Sequence, residues 1–189
     1  MNGRYEMRFA GSGGQGVILA SVIFAEAAVI GGWNTVQSQA YGPEARGGVS
    51  KAETVLSHEK IWFAKVERPN FLLALTQASL DKYSESLAEG AVVMTDESLT
   101  PPADLEASRV IVIPILRAAK ETVGRAFTAN IVAVGAISRA LRLFDGETIV
   151  EAVLRHVPSG TEALNQKALE VGAALIPEEQ AAAFAQELG

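Results

Sequence analysis

Two short stretches combine residue types that could do chemistry. Gly11-Ser12-Gly13-Gly14-Gln15-Gly16 has the spacing G-x-G-x-x-G. It follows a strand-like run and opens a helical one, the context a phosphate-binding turn needs: glycines admit close backbone approach and a helix N-terminus offers unpaired amides to an anion. The second stretch, Tyr41-Gly42-Pro43-Glu44-Ala45-Arg46-Gly47-Gly48, puts a carboxylate and a guanidinium between turn formers. Pro43 fixes φ, while Gly42 and the Gly47-Gly48 pair free the backbone around Glu44 and Arg46. These two charges can satisfy each other, or Arg46 can turn its fork to a carboxylate or phosphate with Lys51 adding charge nearby.

The first motif is incomplete as a dinucleotide reader. Such a site places Asp or Glu about 20 residues on, where the ribose hydroxyls bind. Here that region reads Val36-Gln37-Ser38-Gln39, and no G-x-x-x-x-G-K-[ST] occurs. The open readings are a tight structural turn, a nucleotide loop, and a contact to another phosphate-bearing ligand or a partner chain.

Composition narrows the chemistry further. With 16 Lys and Arg against 22 Asp and Glu, the net charge is −6, so no broad electropositive face for nucleic acid is expected. The 0 Cys remove disulfides, thiol nucleophiles and thiolate-held clusters together. His58 and His156 have no metal-binding spacing and read as surface or satisfied histidines. No charged and apolar leader opens the sequence, and apolar runs such as RVIVIPIL are short of the roughly 20 residues of a membrane span, so a cytoplasmic location is expected.

The elements that must position the two stretches follow from periodicity. RYEMRFAG reads as a strand; Ile18, Val22, Ala25 and Val29 recur at helical spacing, and Gly31-Gly32 stops that helix. WNTVQSQAY is a second strand. VSKAETVLS and IWFAKV read as two more, joined through His58-Glu59-Lys60 as an antiparallel addition to the sheet. FLLALT, AVVMTD and RVIVIPI are apolar runs of the buried parallel type, with QASLDKYSESLAEG a helix ending at Gly90. The last third is helical: TANIVAVGAISRALRLF capped at Thr128, ETIVEAVLRHV after an Asp145-Gly146 turn, and TEALNQKALEVGAALI with Leu164, Ala168, Val171 and Leu175 on one face. Residues 177–189 are a polar tail, helical if docked and frayed if not. The expected fold is α/β, a Rossmann-like three-layer domain over residues 1–189 with a mainly parallel sheet, an antiparallel addition and a helical C-terminal third.

Several segments resemble one family. RFAGSGGQGVILA, VQSQAYGPEARGGVSKAE, RPNFLLAL, ANIVAVGAI and GTEALNQKALEVGA are similar to the gamma subunit of the 2-oxoacid:ferredoxin (or other acceptor) oxidoreductases, in order from about Met7 to Ile176. YGPEARGG and PSGTEALN are most similar to the 2-oxoglutarate type. The resemblance implies a complex that converts a 2-oxoacid and coenzyme A to acyl-CoA and carbon dioxide and passes electrons to ferredoxin. It implies thiamine diphosphate and Mg²⁺ on alpha and beta chains, iron–sulfur clusters on beta or delta chains, and no cofactor held by this chain alone. It assigns no catalytic or metal-binding residue here. It places Gly11, Gly13, Gly14, Gln15 and Gly16, with Tyr41, Gly42, Pro43, Glu44, Arg46, Gly47 and Gly48, on a surface that either faces coenzyme A or meets other subunits. The reading from a different class is a stand-alone Rossmann-like nucleotide-binding protein.

Overall fold

The computed structural model describes residues 3–40, 49–106 and 109–181. Six strands form one mixed sheet in the order β2-β3-β1-β4-β5-β6. They are β1 (Arg4–Ser12), β2 (Asn34–Ala40), β3 (Val49–Ser57), β4 (Phe71–Ala74), β5 (Val92–Asp96) and β6 (Val110–Ile113). β1, β4, β5 and β6 run parallel, and β3 pairs antiparallel with both β1 and β2. The fold is the expected α/β type with a mainly parallel sheet, but the antiparallel addition is built differently. Its hairpin is β2 with β3, and IWFAKV is not a strand: residues 61–66 have no regular structure, and Trp62 and Phe63 are 79% and 78% exposed.

The two faces of the sheet carry separate cores. On one, Met7, Phe9, Leu56, Phe71, Leu73 and Met94 meet helices α1 (Val17–Ile30), α4 (Ala129–Leu141), α5 (Gly146–His156) and α6 (Glu162–Ala174). On the other, Ala10, Leu72, Ala74 and Val93 pack on Leu80 of α2 (Gln77–Ser84). Helix α2 is shorter than expected, since it ends six residues before Gly90 at Ser84. Its start is a capping box in which Thr76 accepts from the Ser79 amide and the Ser79 hydroxyl accepts from the Thr76 amide.

Helix α1 turns the opposite side inward from the one its spacing suggested. Val17, Ala20, Ser21, Phe24, Ala27 and Ala28 are buried, whereas Ile18, Val22 and Ala25 are half-buried and Val29 is exposed. The segment VILASVIFAEAAVI is apolar on nearly every side, so periodicity alone cannot choose a face. In α6, Leu164, Ala168, Val171 and Leu175 do pack on the core.

Beyond β6 the chain makes a short helix α3 (Ile115–Arg117), a π-helical turn (Ala118–Val123) and a 3₁₀ turn (Ala126–Thr128) before α4. Thr128 stands at the N-cap of α4, but its hydroxyl donates to the Arg125 carbonyl at 2.8 Å instead of capping. Asp145 does cap: its carboxylate accepts from the Thr148 amide at 2.7 Å, which holds its pKa below the ordinary value. The tail docks as far as it is described, with Ala181 buried in the core and Glu178 paired to Arg139 and Arg142. Residues 182–189 lie outside the described residues. No helix among the described residues is long and apolar enough to cross a membrane.

Candidate functional site

The glycine loop sits where strand register brings three chain segments together. Gly11 pairs with Ser50 and Ser12 with Val49 of β3, while Ala10 lies beside Ala74 at the end of β4. The Leu75 amide donates to the Ala10 carbonyl at 3.0 Å and extends that ladder by one bond. The turn is then locked from within by Gln15. Its side-chain oxygen accepts from the Ser12 amide at 2.8 Å, its side-chain NH₂ donates to the Leu75 carbonyl at 2.9 Å, and its own amide donates to the Ser12 carbonyl at 3.1 Å. A Cβ on Gly11 would stand 2.6 Å from the Gln15 oxygen, so this glycine is what lets the glutamine fold back.

Gly16 closes the loop in the left-handed region, with φ 69°. An L side chain is strained there. Its Cβ would also stand 2.6 Å from the Asn130 amide nitrogen, which approaches the Gly16 carbonyl at 3.5 Å. Asn130 is buried in the first turn of α4, so the loop rests on that helix. Gly16 caps α1 with no side-chain hydrogen bond and no acid follows in the first turn, so among the described residues no side chain caps the first amides of α1. Gly13 and Gly14 are exposed, and a Cβ on Gly14 would meet nothing within 4 Å. The loop therefore has a clamped inner side and an open outer side.

The second stretch, Tyr41, Gly42, Pro43, Glu44, Arg46, Gly47 and Gly48, lies outside the described residues. Its flanks are described: Ala40 ends β2 opposite Lys51, and Val49 starts β3 opposite Ser12. Both stretches thus leave the sheet at the same end. Lys51 is not a free cation for an anion, because its ammonium is 2.9 Å from the Glu53 carboxylate.

That carboxylate is the centre of a buried charge cluster. The same Glu53 oxygen accepts from Arg8 Nε at 2.7 Å, and both side chains are under 10% exposed, at 5% and 8%. Arg8 spends its other donors on Ser86 Oγ at 2.9 Å and the Val66 carbonyl at 3.1 Å, and its guanidinium lies 5.2 Å from the Tyr83 ring centre. Every group in the cluster has a partner, so its work is to tie β1, β3, α2 and the 61–66 segment together.

The topology also bears on the dinucleotide reading. In a dinucleotide reader the strand beside β1 is parallel to it and ends in the ribose acid. Here that neighbour is antiparallel β3, and Val49 and Ser50 stand where it meets the loop. Nor do the described residues fit a metal or cluster. The sequence has 0 Cys, and among the described residues no three His, Asp or Glu group as ligands. Asn130, Ser50 and the Arg8–Glu53 pair were not singled out in the sequence. The one available signal was a polar Asn inside the apolar run TANIVAVGAI.

Comparison with known proteins identifies the family. The family described as "Pyruvate ferredoxin/flavodoxin oxidoreductase" matches residues 6–175. The chain is 43% identical over 175 residues to a 2-oxoglutarate synthase subunit of Methanocaldococcus jannaschii, covering 89% of this chain and 92% of that one. It is 38% identical to the same subunit of Methanothermobacter thermautotrophicus, with 93% and 96% covered. Among solved structures it is similar to the gamma subunit of a keto/oxoacid ferredoxin oxidoreductase from Geobacter sulfurreducens. That match has a TM-score of 0.79, 43% identity, and 96% and 98% of the two chains covered. With sequence and fold agreeing over nearly the whole length, the chain belongs to the pyruvate ferredoxin/flavodoxin oxidoreductase family, as a gamma-type subunit.

Proposed function

We propose that this chain is the gamma subunit of a complex that converts 2-oxoglutarate and coenzyme A to succinyl-CoA and carbon dioxide, with electrons passing to ferredoxin. The observation that carries the 2-oxoglutarate assignment is the 43% identity, over 89% of the chain, to a 2-oxoglutarate synthase subunit. Residues 1–189 then form one gamma-type domain in a cytoplasmic assembly with alpha, beta and delta subunits. Thiamine diphosphate, Mg²⁺ and iron–sulfur clusters belong to those other chains. The isolated chain is inactive.

In this reading the subunit covers the coenzyme A side of the active site and bridges its neighbours. Support comes from the loop's open outer side at Gly13 and Gly14 and from the register that sets Val49, the residue after Gly48, against Ser12. Of the Gly13 to Gly16 amides, that of Gln15 is spent on the Ser12 carbonyl; those of Gly13, Gly14 and Gly16, with the fork of Arg46, face a coenzyme A phosphate, Tyr41 gives a flat contact, and Glu44 steadies Arg46. The clamp by Gln15 means that the loop need not reorganise when ligand arrives. Closing such a surface over the reacting centre excludes water and strengthens the electrostatics within.

The test is to purify the tagged chain anaerobically with its partners and assay coenzyme A-dependent viologen reduction. Activity with 2-oxoglutarate, and little with pyruvate or branched 2-oxoacids, is the expected result; preference for another acid overturns the substrate assignment. Arg46→Ala separates ligand contact from interface contact. A raised KM for coenzyme A in an intact complex is expected, and an unchanged KM with weakened assembly makes the loop an interface element only.

A further inference from the structure

The run IWFAKV has the composition of a buried strand, yet folding leaves its two largest side chains in solvent. Trp62 and Phe63 are adjacent and nearly four-fifths exposed, at 79% and 78%. The segment that carries them is nevertheless pinned. Arg4 donates from Nη2 to the Phe63 carbonyl at 3.0 Å, and Arg8 donates to the Val66 carbonyl at 3.1 Å. Val66 itself is buried, at 4% exposed. Both arginines project from β1, so the aromatic pair is held against the sheet by its backbone while its rings point away from any core of this chain. Lys60 Nζ stands 4.2 Å from the Trp62 ring centre and covers part of one face.

Beside Phe63 lies a surface cavity of about 610 Å³ lined by Arg4, Glu6, Lys65, Glu67 and Arg68. Arg4 is matched by Glu6 and Lys65 by Glu67, each at 2.7 Å. Arg68 spends Nε on the Leu87 carbonyl at 3.3 Å, and neither it nor Lys60 has a carboxylate partner among the described residues. In a chain of net charge −6 this patch does not share the overall negative sign. Aromatic residues with arginine nearby are the composition of interface centres, and Trp and Arg dominate measured hot spots.

We propose that Trp62 and Phe63 form a docking knob for another subunit of the oxidoreductase complex, which receives them in an apolar pocket edged by carboxylates facing Lys60 and Arg68. This rests on the reading of the chain as a complex subunit. The rigid backbone anchoring by Arg4 and Arg8 lowers the ordering cost of association, since the knob is set before the partner arrives. The knob is distinct from the glycine loop, so it contributes to assembly and not to coenzyme A affinity.

The experiment is co-expression of the complex with the affinity tag on a different subunit. Retention of this chain is followed by dilution and size-exclusion chromatography for wild type and Trp62→Ala/Phe63→Ala. Loss of two hot-spot side chains weakens retention at least about 30-fold. The melting temperature of the isolated variant stays at the wild-type value, because the removed rings touch no core. Lys60→Glu/Arg68→Glu weakens retention further at low salt than at high salt. Retention of the double alanine variant at wild-type affinity overturns the proposal. So does self-association of the isolated wild-type chain that the double variant abolishes while the complex holds, since the occupant is then a second copy. Failure of the wild-type chain to be retained by any oxidoreductase subunit refutes the functional reading itself, and is distinguished because it precedes any substitution.

Discussion

Where α4 crosses α6, two glycines let the helices meet backbone to backbone: a Cβ on Gly172 would stand 1.9 Å from the Val132 carbonyl oxygen, and one on Gly135 would stand 2.2 Å from that of Leu169. Across the sheet, over β1 and β3, the same job of holding elements together falls to charge. One buried arginine reaches Glu53, Ser86, the Val66 carbonyl and the Tyr83 ring. The apolar side is held by fit and tolerates no added volume. The polar side is held by satisfied partners and tolerates no missing one. A charge-tied irregular segment carries Trp62 outward, whereas the space where α4 crosses α6 is filled.

The sharpest break of this comparison is Arg8→Met. It removes donors to three acceptors and leaves Glu53 buried with only Lys51, so a loss of about 3 kcal/mol is expected, the lower end for a buried pair with one partner removed. Adding Glu53→Leu removes the stranded charge and recovers part of that loss. Urea unfolding of the single and double variants measures it, and a double variant no better than the single one contradicts the account. Next comes Gly172→Ala. The forced separation of α4 and α6 costs about 3 kcal/mol, offset by about 1 kcal/mol from replacing a helical glycine, for a net loss near 2 kcal/mol. Thermal melts read this directly, and a neutral result means the helices slide apart without penalty. Unlike Arg8→Met, no compensating apolar substitution on the facing backbone exists to rescue it.

The loop sharpens the comparison at a smaller scale. Gln15→Ala strips the Ser12 amide and the Leu75 carbonyl of their side-chain partners. A loss of about 1 kcal/mol is expected in chemical unfolding, with the coenzyme A response of the assembled complex weakened because the turn is no longer preset.

What the sequence disclosed follows the same division. The G-x-G-x-x-G spacing located a real strand-turn-helix junction because glycine chemistry is local: Gly16 does take a left-handed conformation. The parallel strands were legible because FLLALT and AVVMTD are buried on both faces and show it in composition. The pairing of β2 with β3 was not, since it depends on register across the intervening Tyr41–Gly48 stretch and not on either strand's own pattern. IWFAKV failed for a related reason. An apolar run reports only that something covers it, and here the described chain buries Val66 but leaves Trp62 and Phe63 in solvent. The inward face of α1 was hidden because a helix apolar all round has no preferred side until the sheet chooses one. Gly135 and Gly172 did leave a trace, as isolated glycines inside helical runs, which mark a close approach when they survive their propensity cost.

The smallest effect tests whether charge also contributes where the helical side meets solvent. Glu26 of α1 accepts from Arg155 of α5 at 2.6 Å, with His156 Nε2 at 3.6 Å from its other oxygen. The Arg155 hydrogen bond, opposed by burial and aided by the positive charge of Arg155 and His156, holds the Glu26 carboxyl below its ordinary value of 4.5. A group depressed in the folded state stabilises it above the unfolded pKa, and that stability drains away as pH falls through the folded value. Stability should therefore fall on acidification below about pH 4.5, and Glu26→Gln should flatten that part of the profile while leaving the neutral melting point close to wild type. Because Arg155 is half exposed and also pairs with Glu151, the effect shrinks in salt, unlike anything done to Gly172. A profile unchanged by Glu26→Gln at low salt would mean that α1 and α5 are held by packing alone.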